Sequence, residues 1–256
     1  MKSPWFPFYA ESYVYFQEYI NGIFTKEKLE TLSETNQTKK YRLSKAKEYL
    51  PPEVCEDYLA HYLYEESFQK KYEKELIGLF DDFKIDYPES EYIPYIAPQI
   101  DEIIRFHKTA DSGFSEKTKF VEVYQKLNTL TEIANTLPPG KIYVDVWATW
   151  CGPCKAEFEL KEQLKTLLQQ NGTQMLYISI DRDQDSIQWR NMIKFYNLEG
   201  FHLRANKEVV AELRKIFDRG GSISIPWYIL MGSDGKILKK HASRPSQIDE
   251  LEKEIK

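Results

Sequence analysis

Residues 141–155 read KIYVDVWATWCGPCK, and this stretch decides how the rest of the chain is understood. Its first part is β-branched and aromatic, which predicts a buried strand from about Ile142 to Ala148. The segment CKAEFELKEQLKTLLQQNG that follows puts Leu160, Leu164, Leu167 and Leu168 on one face and ends at Asn171-Gly172, the pattern of a helix and its stop signal. Cys151 and Cys154 therefore stand at a strand-to-helix junction, Cys151 at or near the helix N-terminus and Cys154 one turn later on the same side. The two sulfurs can meet. Unpaired N–H groups and the positive end of the helix dipole favour a thiolate at Cys151, moving its pKa from ~8.5 towards ~7 or below in such motifs. Cys151 is then the attacking nucleophile. Cys154 resolves the mixed disulfide that Cys151 forms with a substrate, leaving the two cysteines bonded to each other. Lys155 adds a positive charge nearby.

The other readings of a Cys-x-x-Cys fail on composition. Three cysteines are too few for a disulfide scaffold. A structural zinc site needs about four ligands at paired spacings, whereas Cys55, His61, His107, His202 and His241 are scattered singly and no second Cys-x-x-Cys exists. No metal and no separate cofactor is expected. Lys155 occupies the place that a haem-attachment site gives to His. Cys55, on a mostly apolar helix, reads as a small packed side chain.

Two further residues carry chemistry. Asp145 is a carboxylic acid inside an otherwise apolar strand. Flanked by Val144, Val146 and Trp147, it is expected to be buried, with a raised pKa suited to accepting the proton of the deeper Cys154. Pro226, within SISIPWYIL, cannot donate to a sheet ladder and so belongs at a strand start or in a special turn. A cis Ile225–Pro226 bond would account for it, although taken alone it reads as an ordinary strand-start proline.

Outward from this centre the chain divides in two. Residues 1–113 are expected to form a helical domain and residues 114–256 an α/β domain, with KTADSGFSEKTK as the linker. In the first half, EVCEDYLAHYLYEESF aligns Val54, Tyr58, Leu59, Tyr62, Leu63 and Phe68, and QKKYEKELIGLFDDF aligns Tyr72, Leu76, Ile77, Phe80 and Phe83. DYPESEY breaks the pattern, Pro98 suits a helix start, and Ile100, Ile103, Ile104 and His107 share the next face. These aromatic stripes read as core. In the second half, TQMLYISID is a strand, residues 185–196 and 207–217 are helices, and SIPWYILMGSDGKILKKH is a hairpin turning at Asp234-Gly235. SQIDELEKEI closes the chain as a helix. Alternating strands and helices ending in a hairpin imply a mixed central sheet flanked by helices.

Charge excludes one class of partner. The net charge is −5, with 14 Lys/Arg against 21 Asp/Glu in residues 1–113 and 21 against 19 beyond. An acidic half without basic stripes offers nothing to nucleic acid. No apolar run approaches the ~20 residues of a membrane-spanning helix, and the start, MKSPWFPFYAESYVYF, lacks a basic region followed by an apolar segment, so no export signal is expected in it.

VDVWATWCGPCK resembles the active-site signature of the thioredoxin superfamily, and IPWYILMGSDGKI resembles that superfamily's cis-proline strand and hairpin. The helix opening CKAEF, the additional material between Asp181 and Gly221 and the aromatic helical half in front are more similar to the TlpA/ResA-like thiol-disulfide oxidoreductases of the bacterial cell envelope. The resemblance covers about residues 114–256. It implies a thioredoxin-like fold preceded by a smaller all-α domain, Cys151 as attacking and Cys154 as resolving cysteine, Asp145 as buried proton acceptor and Pro226 as the cis-proline facing the disulfide. It further implies a substrate surface from Trp150, Gly152, Pro153, Ile225 and Trp227, with the Ile225 backbone offered to an extended substrate segment. The chain departs from the pattern in three places: LYISID lacks the lysine that thioredoxins carry near the buried Asp, Trp227 is bulkier than the usual residue, and Glu159 replaces a proline.

Gly152-Pro153 is the thioredoxin pair, and thioredoxin is strongly reducing, near about −270 mV against about −120 mV for oxidising relatives. A protein-disulfide reductase acting on disulfide-containing proteins is therefore expected, with a disulfide-forming oxidase or isomerase as the alternative; the resemblance implies a place in the cell envelope and a membrane thiol donor there, a cytoplasmic location being the alternative. A partner-binding module on this scaffold would need none of Cys151, Cys154 and Asp145. A peroxide-reducing relative would need a Thr three residues before its cysteine, where this chain has Ala148.

Overall fold

The computed structural model describes residues 6–22, 25–35, 37–121, 124–217, 220 and 222–256. Residues 1–5 of the quoted start, and residues 218, 219 and 221 at the end of the additional stretch, lie outside the described residues. The chain forms two compact units, residues 1–107 and 108–256.

The first unit is built from α1 (Phe6–Ile20), α2 (Lys26–Glu34), α3 (Thr38–Tyr49), α4 (Pro52–Phe68), α5 (Glu75–Asp86) and α6 (Ile93–Ala110), the last running slightly past the division. Its core takes Tyr58, Leu59, Tyr62 and Leu63 from α4, Leu76, Leu79, Phe80 and Phe83 from α5, and Ile96, Ile100, Ile103 and Phe106 from α6. Three details differ from the pattern. Phe68, on the last turn of α4, is 59% exposed. Ile77 is only half-buried, because Leu79 takes the inward position. Pro98 lies inside α6 rather than at its start. It sits about one and a half turns into the helix, where the missing N–H removes only a bond to Pro94, whose own place near the N-terminus is compatible with proline.

The second unit contains β1 (Thr118–Phe120), α7 (Leu130–Ala134), β2 (Ile142–Trp147), α8 (Gly152–Phe158), α9 (Lys161–Gln170), β3 (Gln174–Ser179), α10 (Ser186–Phe195), β4 (Gly200–Arg204), α11 (Lys207–Phe217), β5 (Trp227–Met231), β6 (Ile237–Lys239) and α12 (Ile248–Ile255). The sheet order is β1-β4-β3-β2-β5-β6. β1 to β4 run parallel to one another, while β5 is antiparallel to β2 and β6 to β5. This is the mixed sheet that the element pattern predicts. Two edge elements escape that pattern: β1 lies partly in the stretch read as linker, and β4 (GFHLR) has too few apolar residues to announce a strand.

The stretch read as one helix from Cys154 onward is two. The amide of Glu159 bonds to the Ala156 carbonyl and that of Leu160 to the Glu157 carbonyl, closing α8 with tight turns before α9 restarts. The strand read to Ala148 ends at Trp147.

Every residue of β2 is buried, so its period of two divides the sheet into two chemically different faces. Ile142, Val144 and Val146 join Leu176, Ile178, Leu203, Ile229 and Met231 in an aliphatic core roofed by Leu130, Ile133, Val209, Leu213 and Phe217 from α7 and α11. On the other face, Tyr143, Asp145 and Trp147 lie beside Tyr177 of β3 and Tyr228 of β5, both directly opposite Asp145. Phe158 of α8 meets Trp147 edge-on at 5.2 Å and Tyr177 at 6.2 Å, which places α8 over this aromatic face.

The β5–β6 hairpin turns at Asp234-Gly235 as the sequence predicts, with the Gly235 amide donating to the Gly232 carbonyl and the Gly232 amide to the Lys236 carbonyl. Gly235 has φ +79° and packs so closely that a Cβ would lie 2.4 Å from the Thr131 Cα of α7. Gly235→Ala is therefore expected to destabilise this unit by about 2 kcal/mol, through an unfavourable φ and a backbone clash. Urea unfolding followed by tryptophan fluorescence measures it; an unchanged midpoint would contradict the packing of the hairpin on α7.

Candidate active site

The parallel strand β2 delivers the chain to the cysteines. Beyond Trp147 the backbone leaves the sheet, the Cys151 amide donates to the Ala148 carbonyl (3.0 Å), and α8 begins. Cys151 is its N-cap residue, with extended backbone (φ −82°, ψ 98°), and its Sγ accepts the Cys154 amide at 3.1 Å. The geometry thus supplies the amide contact that steadies negative charge on this sulfur. Cys151 and Cys154 are joined in a disulfide, with Cα atoms 5.3 Å apart. Cys151 is 3% exposed and Cys154 fully buried, so the first sulfur is the one nearer to solvent.

Asp145 sits one pleat before Trp147, on the face covered by α8, and is 2% exposed. Its carboxyl is held well above the usual aspartate range, first by burial and then by the negative charge of Glu157. Its Oδ1 has no hydrogen-bond partner among the described residues. The cross-strand positions hold tyrosines: Tyr228 stacks on Tyr143 at 5.4 Å, and Tyr177 stacks on His202 at 4.7 Å. These phenols are buried, and burial followed by the Asp145 charge raises Tyr177 and Tyr228. Burial also pushes His202 down to about 3, so the imidazole beside Tyr177 is neutral.

Glu157 is the residue of this region that the motif alone does not reveal. It receives the Ser246 amide and hydroxyl, both at 2.9 Å, and lies 3.6 Å from the Arg244 guanidinium. The loop before α12 is thereby tied to α8. Its only signal in the sequence is a carboxylate one turn beyond Cys154, and Ser246, which donates to it twice, lies 89 residues away. Lys155, expected to lend a nearby positive charge, has a wholly buried side chain.

The Ile225–Pro226 peptide is cis. Because β5 runs antiparallel to β2 with Trp227 opposite Val146, its start lies at the end of the sheet from which Cys151 leaves. Ile225 and Pro226 are half-buried there, whereas Trp150 is 58% exposed and Gly152 and Pro153 are exposed. Trp227 corrects the expected surface. It is 3% exposed, its indole N–H donates to the Lys240 carbonyl at 2.8 Å, and its ring lies edge-on to Phe217 at 5.0 Å. The period of two sends it into the aliphatic core beside Val146, away from a substrate surface. Cys55 is buried in α4, where burial pushes its thiol up. Among the described residues no group of three His, Cys, Asp or Glu side chains is placed to hold a metal, and no helix is long and apolar enough to cross a membrane.

The redoxin family model matches residues 114–255, more than half of the chain and all of the sheet that carries this site. The chain belongs to the redoxin family. It is 28% identical over 116 residues to the thiol-disulfide oxidoreductase ResA of Bacillus thuringiensis subsp. konkukian (strain 97-27), covering 44% of this chain and 62% of that one. The chain therefore spans less than two thirds of that relative's length. A solved protein from Bacteroides vulgatus, assigned as a thiol-disulfide oxidoreductase, is 31% identical over 45% of this chain and 72% of its own, with a TM-score of 0.36. A thioredoxin-like protein from Bacteroides caccae is 15% identical, covering 98% of this chain and 94% of its own, also with a TM-score of 0.36. The thioredoxin-like fold and the TlpA/ResA-like resemblance read from the sequence agree with the family match and the ResA relative.

The raised Asp145 gives this redoxin a definite pH signature. Its contribution to stability is complete below the usual aspartate pKa of about 3.9 and is lost as the pH rises through its folded-state value. Asp145→Asn is accordingly expected to unfold at higher urea concentration than the wild type at pH 8, with the difference closing towards pH 4. A variant equally displaced at both pH values would show that the carboxyl is not held protonated by burial.

Proposed function

We propose that this redoxin is a thiol-disulfide oxidoreductase that reduces disulfide bonds in protein substrates. The observation that carries the reading is the Cys151–Cys154 disulfide at the start of α8, with a buried carboxylic acid on the face of β2 that α8 covers. In the reduced protein the Cys151 thiolate attacks a substrate disulfide, forms a mixed disulfide and releases one substrate thiolate. Asp145 in its carboxylate form takes the proton of Cys154, the resulting thiolate attacks the Cys151 sulfur, and Asp145 and solvent each return one proton to the departing substrate thiolates. The substrate leaves with two electrons as a dithiol, and the Cys151–Cys154 disulfide remains. Asp145 suits this role because burial and the Glu157 charge raise the proton affinity of its carboxylate, and the registered positions hold Tyr177 and Tyr228 rather than cations.

Trp150, Gly152 and Pro153 form the exposed rim for substrate, and the backbone of Ile225, preceding the cis peptide, pairs with an extended substrate segment in the manner of strand addition. The reducing direction is favoured by Gly152-Pro153 between the cysteines. The similarity to ResA supports a place in the cell envelope, where an oxidising environment supplies disulfides and a membrane thiol donor would return electrons to Cys151 and Cys154. The helical domain, residues 1–113, restricts or recruits protein substrates in this reading.

Insulin reduction by the purified dithiol, combined with titration of the Cys151–Cys154 couple, tests the assignment. A potential near that of thioredoxin, with Asp145→Asn slowing turnover about 10²-fold and Cys154→Ser trapping mixed disulfides, is the expected result. A potential above about −150 mV would make the protein a disulfide-forming oxidase instead.

A further inference from the structure

We propose that Asp181 is the positioning residue of the Cys151 nucleophile, acting through the peptide group between Ala148 and Thr149. The proposal deepens the thiol-disulfide reading and rests on it. Asp181 lies just past β3 and is 5% exposed. The Thr149 amide donates to both of its carboxylate oxygens, at 3.0 and 2.9 Å, and the Thr149 hydroxyl donates to Oδ1 at 2.8 Å. The Ser179 hydroxyl donates to Oδ2 at 2.7 Å, while the Asp181 amide donates back to the Ser179 Oγ at 3.0 Å.

The position of this carboxylate in the sheet explains its use. The last backbone rung between the two strands is the Ile180 amide donating to the Trp147 carbonyl, at 3.0 Å. Beyond Trp147 the chain leaves β2, and an acceptor from a side chain takes over the pairing that the ladder no longer supplies. An ionised carboxylate is suited to this because it only accepts, with room for several donors; an amide of the same shape would turn N–H groups towards the Thr149 donors.

Thr149 N–H belongs to the same rigid plane as the Ala148 carbonyl, and that carbonyl accepts the Cys151 amide at 3.0 Å. Fixing the N–H end with Asp181 therefore fixes the direction of the C=O end, and with it the backbone of Cys151. The Cys151 Sγ, in turn, accepts the Cys154 amide. A continuous run of hydrogen bonds thus leads from a carboxylate at the end of β3 to the two cysteines. Asp181 sets how well they are pre-aligned for each other.

The test uses the full chain and two substitutions. Thr149→Val keeps the carboxylate and its charge but removes the hydroxyl bond; Asp181→Asn removes the charge and mismatches the donors. Equilibration with reduced and oxidised glutathione measures how strongly the Cys151–Cys154 disulfide is favoured. The pH midpoint of Cys151 alkylation, in a Cys154→Ser background and followed at the peptide level, measures charge effects separately. The expected result is a disulfide disfavoured about tenfold in Asp181→Asn and about threefold in Thr149→Val, with native circular dichroism in both. Wild-type equilibria accompanied only by lower melting temperatures would overturn the proposal, as would a lowered Cys151 midpoint in Asp181→Asn beside an unaltered Thr149→Val. If Asp181→Asn does not fold, Thr149→Val alone decides. A wild-type protein that exchanges with glutathione but leaves insulin intact would sink the reductase assignment without touching this inference.

Discussion

A carboxylic acid sits in the middle of a strand that is buried on both faces, and the remainder of the redox unit is arranged around that constraint. β2 can be central only because alternate residues meet different environments: aliphatic side chains beneath α7 and α11, aromatic and polar ones beneath α8. Burying Asp145 costs stability at neutral pH, and no cation opposite it lowers that cost. The sheet accommodates the group by raising its affinity for a proton. Its neighbours in register are phenols, which are themselves neutral, and the imidazole beyond Tyr177 is held neutral as well. The groups in direct contact with Asp145 across the sheet are thus neutral.

Glu157 of α8 is a buried carboxylate as well, and its location explains why it is tolerated. It lies at the edge of the face covered by α8, where Ser246 and Arg244 satisfy the carboxylate from the loop before α12. The same charge raises Asp145, so the C-terminal loop influences the proton affinity of a residue on the central strand through one intermediate side chain. A change in how that loop packs would be felt at Asp145 as well as in the stability of α12.

Much of this unit was legible in the sequence because local and tertiary preferences agree there. The apolar run of β2, the cysteine spacing and the Asp234-Gly235 turn each satisfy a rule that acts over a few residues. Where the reading went astray, a non-local partner decides. Trp227 looked like a surface residue beside a special proline, but the register against Val146 turns it inwards. β4 has no apolar signature of its own and is a strand because β1 and β3 flank it. The break at Glu159 reflects the closing turn of α8 over the aromatic face, which leucine spacing in α9 cannot announce. Glu157 and Asp181 read as ordinary charged residues until their donors, far away in the chain, are placed beside them.

The inward turn of Trp227 has an optical consequence. Of the tryptophans described, Trp147, Trp189 and Trp227 are buried, and Trp150 alone meets solvent. Trp150 is also the residue that precedes the redox sulfur. Among these described tryptophans, a water-borne quencher reaches the one beside the Cys151–Cys154 disulfide, while three shielded indoles sense the interior, so they report separately on the disulfide and on the folded core.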